Sequence, residues 1–411
     1  MNTLKFGNGE WYGKKDTILA YNDENSNFKP LPFSFDRASS ATVVNKAGLI
    51  ETVGSGEPRI DFSNDAKGAL KLEPQRTNKY LYSQDFSDAY WTKSGTSVVS
   101  GFASPDGTLN AFKLIGDGAN TPHILRKYIG ATALTNHSFS FFVKKGEINK
   151  LGIREDAQTG AYASFNLTTK TIISSVSMTL TYEEVGDYLR LKVVSQIGSN
   201  GTAGYAIYML DDTYSGGVVN GSRVIPNGSG FYIYGAQLEQ GSYPTSYIPT
   251  SGSVVTRVQD VCNNGGNEQV INSTEGVLYA EISAFEGSDD PFAISLSDGS
   301  SSNRIFLSLR TPESIYRAYS SGGGDINFEG LDVTSLSKVA VRYSLNNFSL
   351  WVNGIKRGET LTYAGIPSNT LNNLSFDRNG IGELYFRGNV KDVKLYNTAL
   401  TDQELINLTT I

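Results

Sequence analysis

Alternation of apolar and polar residues is the strongest constraint in this sequence. Phe348, Leu350 and Val352 stand two apart, and the run breaks at Asn353-Gly354 before resuming at Ile355. Side chains of a strand change face at every residue, and Asn-Gly takes positive φ at low cost. The segment Phe348 to Lys356 therefore predicts a hairpin. The same period recurs at His137 to Val143, Tyr188 to Val194, Gly204 to Met209 and Phe231 to Ala236. It returns at Gly276 to Ile282, Asn303 to Leu309, Ser337 to Tyr343 and Val390 to Tyr396. A strand bounded by glycines is also expected over Gly382 to Gly388. One helix is predicted, Thr401 to Leu408, where Thr401 caps and Glu404 sits three residues on. Gly is 43 of 411 residues and charged residues are only 18%. Many turns and few helix-favouring charges fit the same all-β reading.

A chain of 411 residues exceeds one ordinary core, so several domains are expected. Residues 1–85 are turn-rich, with strand candidates at Ala41 to Val44, Leu49 to Val53, Arg59 to Phe62 and Ala69 to Leu72. So little apolar content would be marginal alone, so this segment is read as an attachment and assembly piece. Residues 86–260 carry evenly spaced strands, the pattern of a jelly-roll sandwich. A Pro/Ser/Gly stretch, Tyr243 to Ser253, reads as its exit. Residues 268–411 form the third segment.

The net charge is −6, from 35 basic and 41 acidic residues, with no extended Lys/Arg run. Nucleic-acid binding is therefore not expected. No apolar run reaches membrane-spanning length, and Met1 to Gly13 lacks the apolar core of a secretory signal. Neither membrane insertion nor export by that route is expected.

Catalytic constellations are hard to assemble from these residues. His123 and His137 are the only histidines, and Cys262 is the only cysteine. A triad or a histidine-rich metal site needs more. Acidic pairs occur at Glu155-Asp156, Glu183-Glu184, Asp211-Asp212 and Asp289-Asp290, and all are read as solvated turn carboxylates. The metal such groups would suit is Ca²⁺, with Glu239 and the Asp289-Asp290 loop as candidates. No other cofactor is expected. Ser320 to Gly324 and Ser215 to Gly217 lack the Lys-Ser/Thr of a phosphate loop. The expectation is a chain that is not an enzyme and has no catalytic residues. Flat aromatic rings with polar neighbours can hold sugar rings, which makes Trp91, Tyr162, Tyr208, Tyr316, Tyr319 and Trp351 the candidate ligand-binding residues.

Two resemblances add to this reading. Arg37 to Glu51, Pro58 to Phe62, Leu72 to Asn78, Gly235 to Thr250 and Arg257 together resemble phage tail-fibre, head-fibre and appendage proteins. In that family the middle part is similar to a carbohydrate-binding jelly roll. Leu350 to Lys356 and Gly388 to Leu405 resemble a concanavalin A-like, laminin G-like sandwich. The resemblances imply tandem β-sandwiches, a jelly roll followed by a concanavalin A-like domain. They imply a virion appendage, made in the bacterial cytoplasm, that presents glycan-binding surfaces for host attachment. Its partners would be other virion proteins, a host surface glycan and two further copies of itself in a trimer. The alternatives are a virion polysaccharide depolymerase and a structural spacer that binds nothing.

Overall fold

The alternating segments form antiparallel strands in a computed structural model that describes residues 2–22, 29–157, 159–285, 292–378 and 384–411. Asn347–Val352 and Ile355–Thr360 flank the expected turn, where Asn353 and Gly354 take φ of 50° and 79°. The only helix among the described residues is Asp402–Thr409. Thr401 Oγ1 accepts the Glu404 N–H, and the Glu404 carboxylate accepts the Thr401 N–H at 2.8 Å, which closes the capping box. The chain is thus nearly all-β. Of the strand expected over 382–388, Gly382 and Glu383 lie outside the described residues, while 384–387 make only an isolated bridge through Tyr385. No helix of the described residues is long and apolar enough to cross a membrane.

The chain divides into two compact units. The first comprises Met1–Lys46, Thr52–Gln75 and Val258–Ile411. Its larger sheet runs Val261–Asn263, Lys29–Asp36, Thr17–Asn22, Asn2–Gly7, Gly388–Tyr396, Gly276–Ala284, Ser337–Ser344, Asn347–Val352, Ile355–Thr360. Its second sheet runs Gly324–Phe328, Ile315–Ser320, Arg304–Arg310, Phe292–Ser297, Asn373–Ser375. One apolar core joins the two layers: Phe6, Phe33, Leu278 and Ile282 come from the first sheet, and Ile294, Ile305, Leu307 and Tyr316 from the second.

The expected domain of residues 1–85 differs from this arrangement. Asn2–Gly7 pairs with Gly388–Tyr396, setting Lys5 opposite Lys394. A short segment with few apolar residues cannot bury enough surface alone, and here it completes a sheet begun at the other end of the chain.

The second unit, Ala47–Glu51 and Arg76–Arg257, is therefore an insertion in the first. Two six-stranded antiparallel sheets enclose its core. Phe139, Phe141, Leu191 and Phe231 face Leu151, Ile153, Phe165 and Tyr205. The segment after its longest strand, Gly230–Gln240, folds back as a strap. Gln237 Nε2 donates to the carbonyls of Thr245 and Ser246, and its Oε1 accepts the Ile248 N–H. The buried Glu239 carboxylate accepts the Thr245 N–H at 2.8 Å and its hydroxyl at 2.5 Å. Asn78 Nδ2 donates to the carbonyls of Ala236 and Ile248. The motif Gly235 to Thr250 is thus a set of buried polar side chains satisfying a non-repetitive backbone.

A buried ion network lies within the first unit, with Glu73 and Asp260 close in sequence to the two ends of the 76–257 insertion. Arg37, Arg59, Glu73 and Asp260 are all buried. Asp260 Oδ1 takes Arg37 Nη1 at 3.0 Å, and its Oδ2 takes Arg59 Nη2. Arg59 Nη1 reaches Glu73 at 2.6 Å, and the Glu73 N–H donates to Asp260 Oδ2 at 2.9 Å. Burial works against the charge of Arg59, but Asp260 and Glu73 outweigh it and hold its pKa above the ordinary value. Deleting one member leaves buried charge uncompensated, which costs about 3–5 kcal/mol. Asp260→Ala is expected to lower stability by that order in chemical denaturation; a change below about 1 kcal/mol would show the network to be dispensable.

Asp61, which is buried, and the partly buried Lys71 form a second pair at 2.8 Å. Burial pushes the Asp61 carboxyl up, but Lys71, Ser63 and the Val44 N–H together carry it below 3.8. A depressed carboxylate stabilises the fold fully above its unfolded pKa, and that contribution is lost as pH falls through the folded value. Asp61→Asn should therefore flatten the acid side of the stability profile below about pH 4. Urea unfolding at stepped pH tests this, and an unchanged acid limb contradicts it.

Candidate functional site

Register sets the outward side chains of the five-stranded sheet in rows. Ile305, Leu307 and Leu309 turn into the core, so Arg304, Phe306, Ser308 and Arg310 face the other way. Tyr319 lies opposite Phe306 and Asp325, and Phe306 opposite Ser295. In the next row Arg317 lies between Ser308 and Asn327.

An aromatic pair occupies the middle of this face. Phe306 and Tyr319 stack with centroids 4.9 Å apart and planes inclined by 22°. The guanidinium of Arg304 lies 5.5 and 5.4 Å from the two ring centroids, and that of Arg317 lies 5.7 and 5.3 Å away. Arg378 approaches Phe306 to 5.9 Å. Phe306 is buried although it points outward, with the Tyr319 ring and the guanidinium groups of Arg304, Arg317 and Arg378 against it. Tyr319 is half-buried and keeps part of its ring open to solvent.

Arg317 is held in place. Its Nε and Nη2 each donate to an Asp325 carboxylate oxygen at 2.8 Å, a two-point fork. These bonds raise the Arg317 pKa above its ordinary value. Beside the fork lies a recess of about 380 Å3, lined by Ser308, Arg310, Ile315, Arg317, Asn327 and Glu329. Such a surface offers a ring for an apolar sugar face, with hydroxyl, amide, guanidinium and carboxylate groups for its hydroxyls.

The six aromatic candidates fare differently. Tyr319 belongs to the surface just described. Tyr162 is half-buried beside Ala206, Tyr208 and Tyr214 in the second unit. The other four are corrected to structural positions, because their rings lie against protein. Trp91 is buried among Tyr80, Phe86 and Tyr90, and its Nε1–H donates to the Tyr82 carbonyl at 2.9 Å. Tyr208 is buried and donates its hydroxyl to Asp156. Tyr316 is a core residue that shares a hydrogen bond with Ser337. Trp351 is buried with Val277, Tyr279 and Leu405, under the C-terminal helix. The period-two reading identified the strands but not which parity faces the core. The arginines and Phe306 were not singled out in the sequence, although the spacing 304, 306, 308, 310 already places them on one face.

The histidines, the cysteine and some of the carboxylates are internal. Both histidines are buried; His123 Nε2 lies 3.1 Å from the Arg223 carbonyl, and burial lowers the His137 pKa. Burial raises the Cys262 thiol. Glu155 is corrected from a solvated carboxylate to a buried one, which accepts the Thr159 and Gly204 N–H groups. Of the Ca²⁺ candidates, Glu239 is engaged with Thr245, and Asp289 and Asp290 lie outside the described residues. Among the described residues no three His, Cys, Asp or Glu side chains gather in a metal-binding group.

Residues 278–406 match the concanavalin A-like lectin/glucanases superfamily. The first unit thus contains a concanavalin A-like domain. No curated protein matches the chain. Among solved structures, it is similar to domain 4 of the arabinanase AbnA of Geobacillus stearothermophilus in complex with arabinotriose, at 12% identity, covering 40% of this chain and 81% of that one, TM-score 0.29. It is similar to mouse laminin α1 domains LG4-5, at 11% identity, covering 78% and 95%, TM-score 0.24. It is also similar to Trypanosoma rangeli sialidase, at 10% identity, covering 95% and 81%, TM-score 0.29. The expectation that the chain is not an enzyme is corrected here. A sialidase and a domain of a GH43 arabinanase stand among these similar structures, so absence of catalysis is dropped from the reading. At such TM-scores the likenesses assign no reaction.

Tyr319→Ala is expected to weaken retention on an immobilised polysaccharide on the order of ten-fold, with the circular-dichroism spectrum unchanged. Equal retention of the variant would remove this face from consideration.

Proposed function

We propose that this chain binds glycans through the Phe306–Tyr319 face of its concanavalin A-like domain. The observation that carries the reading is a half-buried tyrosine, stacked on Phe306 and flanked by two arginines, of which Arg317 is fixed by Asp325, beside a polar recess. Aromatic area supplies affinity, while the fork of Arg317 and Asp325 keeps polar groups in register before a ligand arrives. The superfamily match over 278–406 supports the same reading.

The finer part of the proposal is a virion appendage, assembled as a trimer on other virion proteins and used to attach to a host surface glycan. Its support is the set of motifs from Arg37 to Asn78 and from Gly235 to Arg257 that resemble phage fibre proteins. Those motifs hold Arg37, Arg59 and Glu73 of the ion network, and the strap, so the resemblance rests on how the chain is built.

A glycan array with the purified full chain tests the binding function. Expected is selective, saturable binding to a subset of bacterial polysaccharides that falls with Tyr319→Ala. Binding to none, or binding indifferent to that substitution, contradicts it. Released reducing ends, measured on the same ligands, report separately whether bound glycan is also cleaved. Labelled antibody on purified particles tests the virion placement, and label absent from every particle rejects it.

A further inference from the structure

A lysine in the second unit sits where a metal ion could. Lys93 lies on the strand Thr92–Ser94, paired with Ile124–Arg126. Its ammonium is 2.8 Å from the Phe86 carbonyl, 3.3 Å from that of Ser87, 3.1 Å from that of Asp88 and 3.3 Å from that of Trp91. Four main-chain oxygens from one six-residue loop converge on a single cation.

The loop is built to present them. Asp85 Oδ1 accepts the Ser87 N–H and hydroxyl, and Asp88 Oδ1 accepts the Tyr90 N–H. The Trp91 N–H returns to the Asp88 carbonyl. These turns spend the N–H groups inside the loop and leave carbonyls directed at one point. Converging carbonyl dipoles repel each other unless a positive charge stands between them. An ammonium has three protons, so four acceptors are served by shared bonds.

We infer that the segment Phe86 to Trp91 is a cation site whose resident cation is the side chain of Lys93. The distances also say which solution cation could replace it. Ca²⁺ takes oxygen at roughly 2.3–2.6 Å, well inside the 2.8–3.3 Å found here. The cage therefore suits a larger monovalent ion of ammonium size, K⁺ or NH₄⁺. The lysine keeps the site filled at any ionic composition. It fixes the loop that carries Phe86 and Trp91, both of which pack in the core of this unit.

Lys93→Ala empties the cage. In choline chloride the variant should melt below the unaltered chain. KCl at equal ionic strength should restore much of that loss, with saturation. The unaltered chain should melt alike in both salts. The inference is overturned if the variant melts like the unaltered chain, or if its loss is the same in KCl and choline chloride. Restoration by CaCl₂ at low concentration but not by KCl would overturn the size assignment. A readout that needs no variant is acylation mapped by mass spectrometry. Lys93 should react several-fold more slowly than the exposed Lys145, and equal rates would contradict the caged ammonium.

Discussion

The carboxylate of Asp260 is the interaction on which the first unit depends. It joins Arg37 and Arg59, and through Arg59 it reaches Glu73. Glu73 and Asp260 lie just before and just after the 76–257 insertion, and their main chains are also joined, Asp260 N–H to Glu73 carbonyl at 3.0 Å. A sandwich whose strands come from both ends of a 411-residue chain must bring residues about 187 positions apart into fixed register. Apolar burial favours closeness without direction. Charge-assisted hydrogen bonds, with each Asp260 oxygen on a different arginine, supply the direction, and a misplaced member would leave buried charge unpaired.

The same logic explains the motifs of Arg37 to Asn78 and Gly235 to Thr250. Arg37, Arg59, Glu73, Asn78, Gln237 and Glu239 each satisfy buried polar groups. Their spacing in sequence reflects where the chain turns back, and all of them are buried. The face proposed for glycan uses instead side chains of ordinary strands, where alternation turns one row away from the core. The Phe306–Tyr319 pair with its arginines lies on such a face.

Local order was legible in the sequence. The Asn353-Gly354 turn, the capping box at Thr401 and the cores of most strands follow from rules acting over two to four residues. Partnership was not legible. Nothing in Asn2 to Gly7 says that Gly388 to Tyr396 lies beside it, because a period-two pattern names a strand and not its neighbour. The candidate site was half legible for a related reason. Tyr316 and Tyr319 share one strand, Ile315–Ser320, with opposite parity, and only the second sheet layer decides that 316 is core and 319 is surface. Trp351 looks outward by parity, yet the C-terminal helix covers it. Scarcity of histidine was too weak a basis for denying catalysis, since carboxylates alone can serve that chemistry.

Ring-selective tyrosine NMR during titration with an oligosaccharide from the array tests the glycan face most directly. Expected is a saturable shift at Tyr319 with the resonance of buried Tyr316, on the same strand, unmoved. Saturable binding that leaves Tyr319 unshifted and perturbs tyrosines elsewhere would place the ligand on another surface.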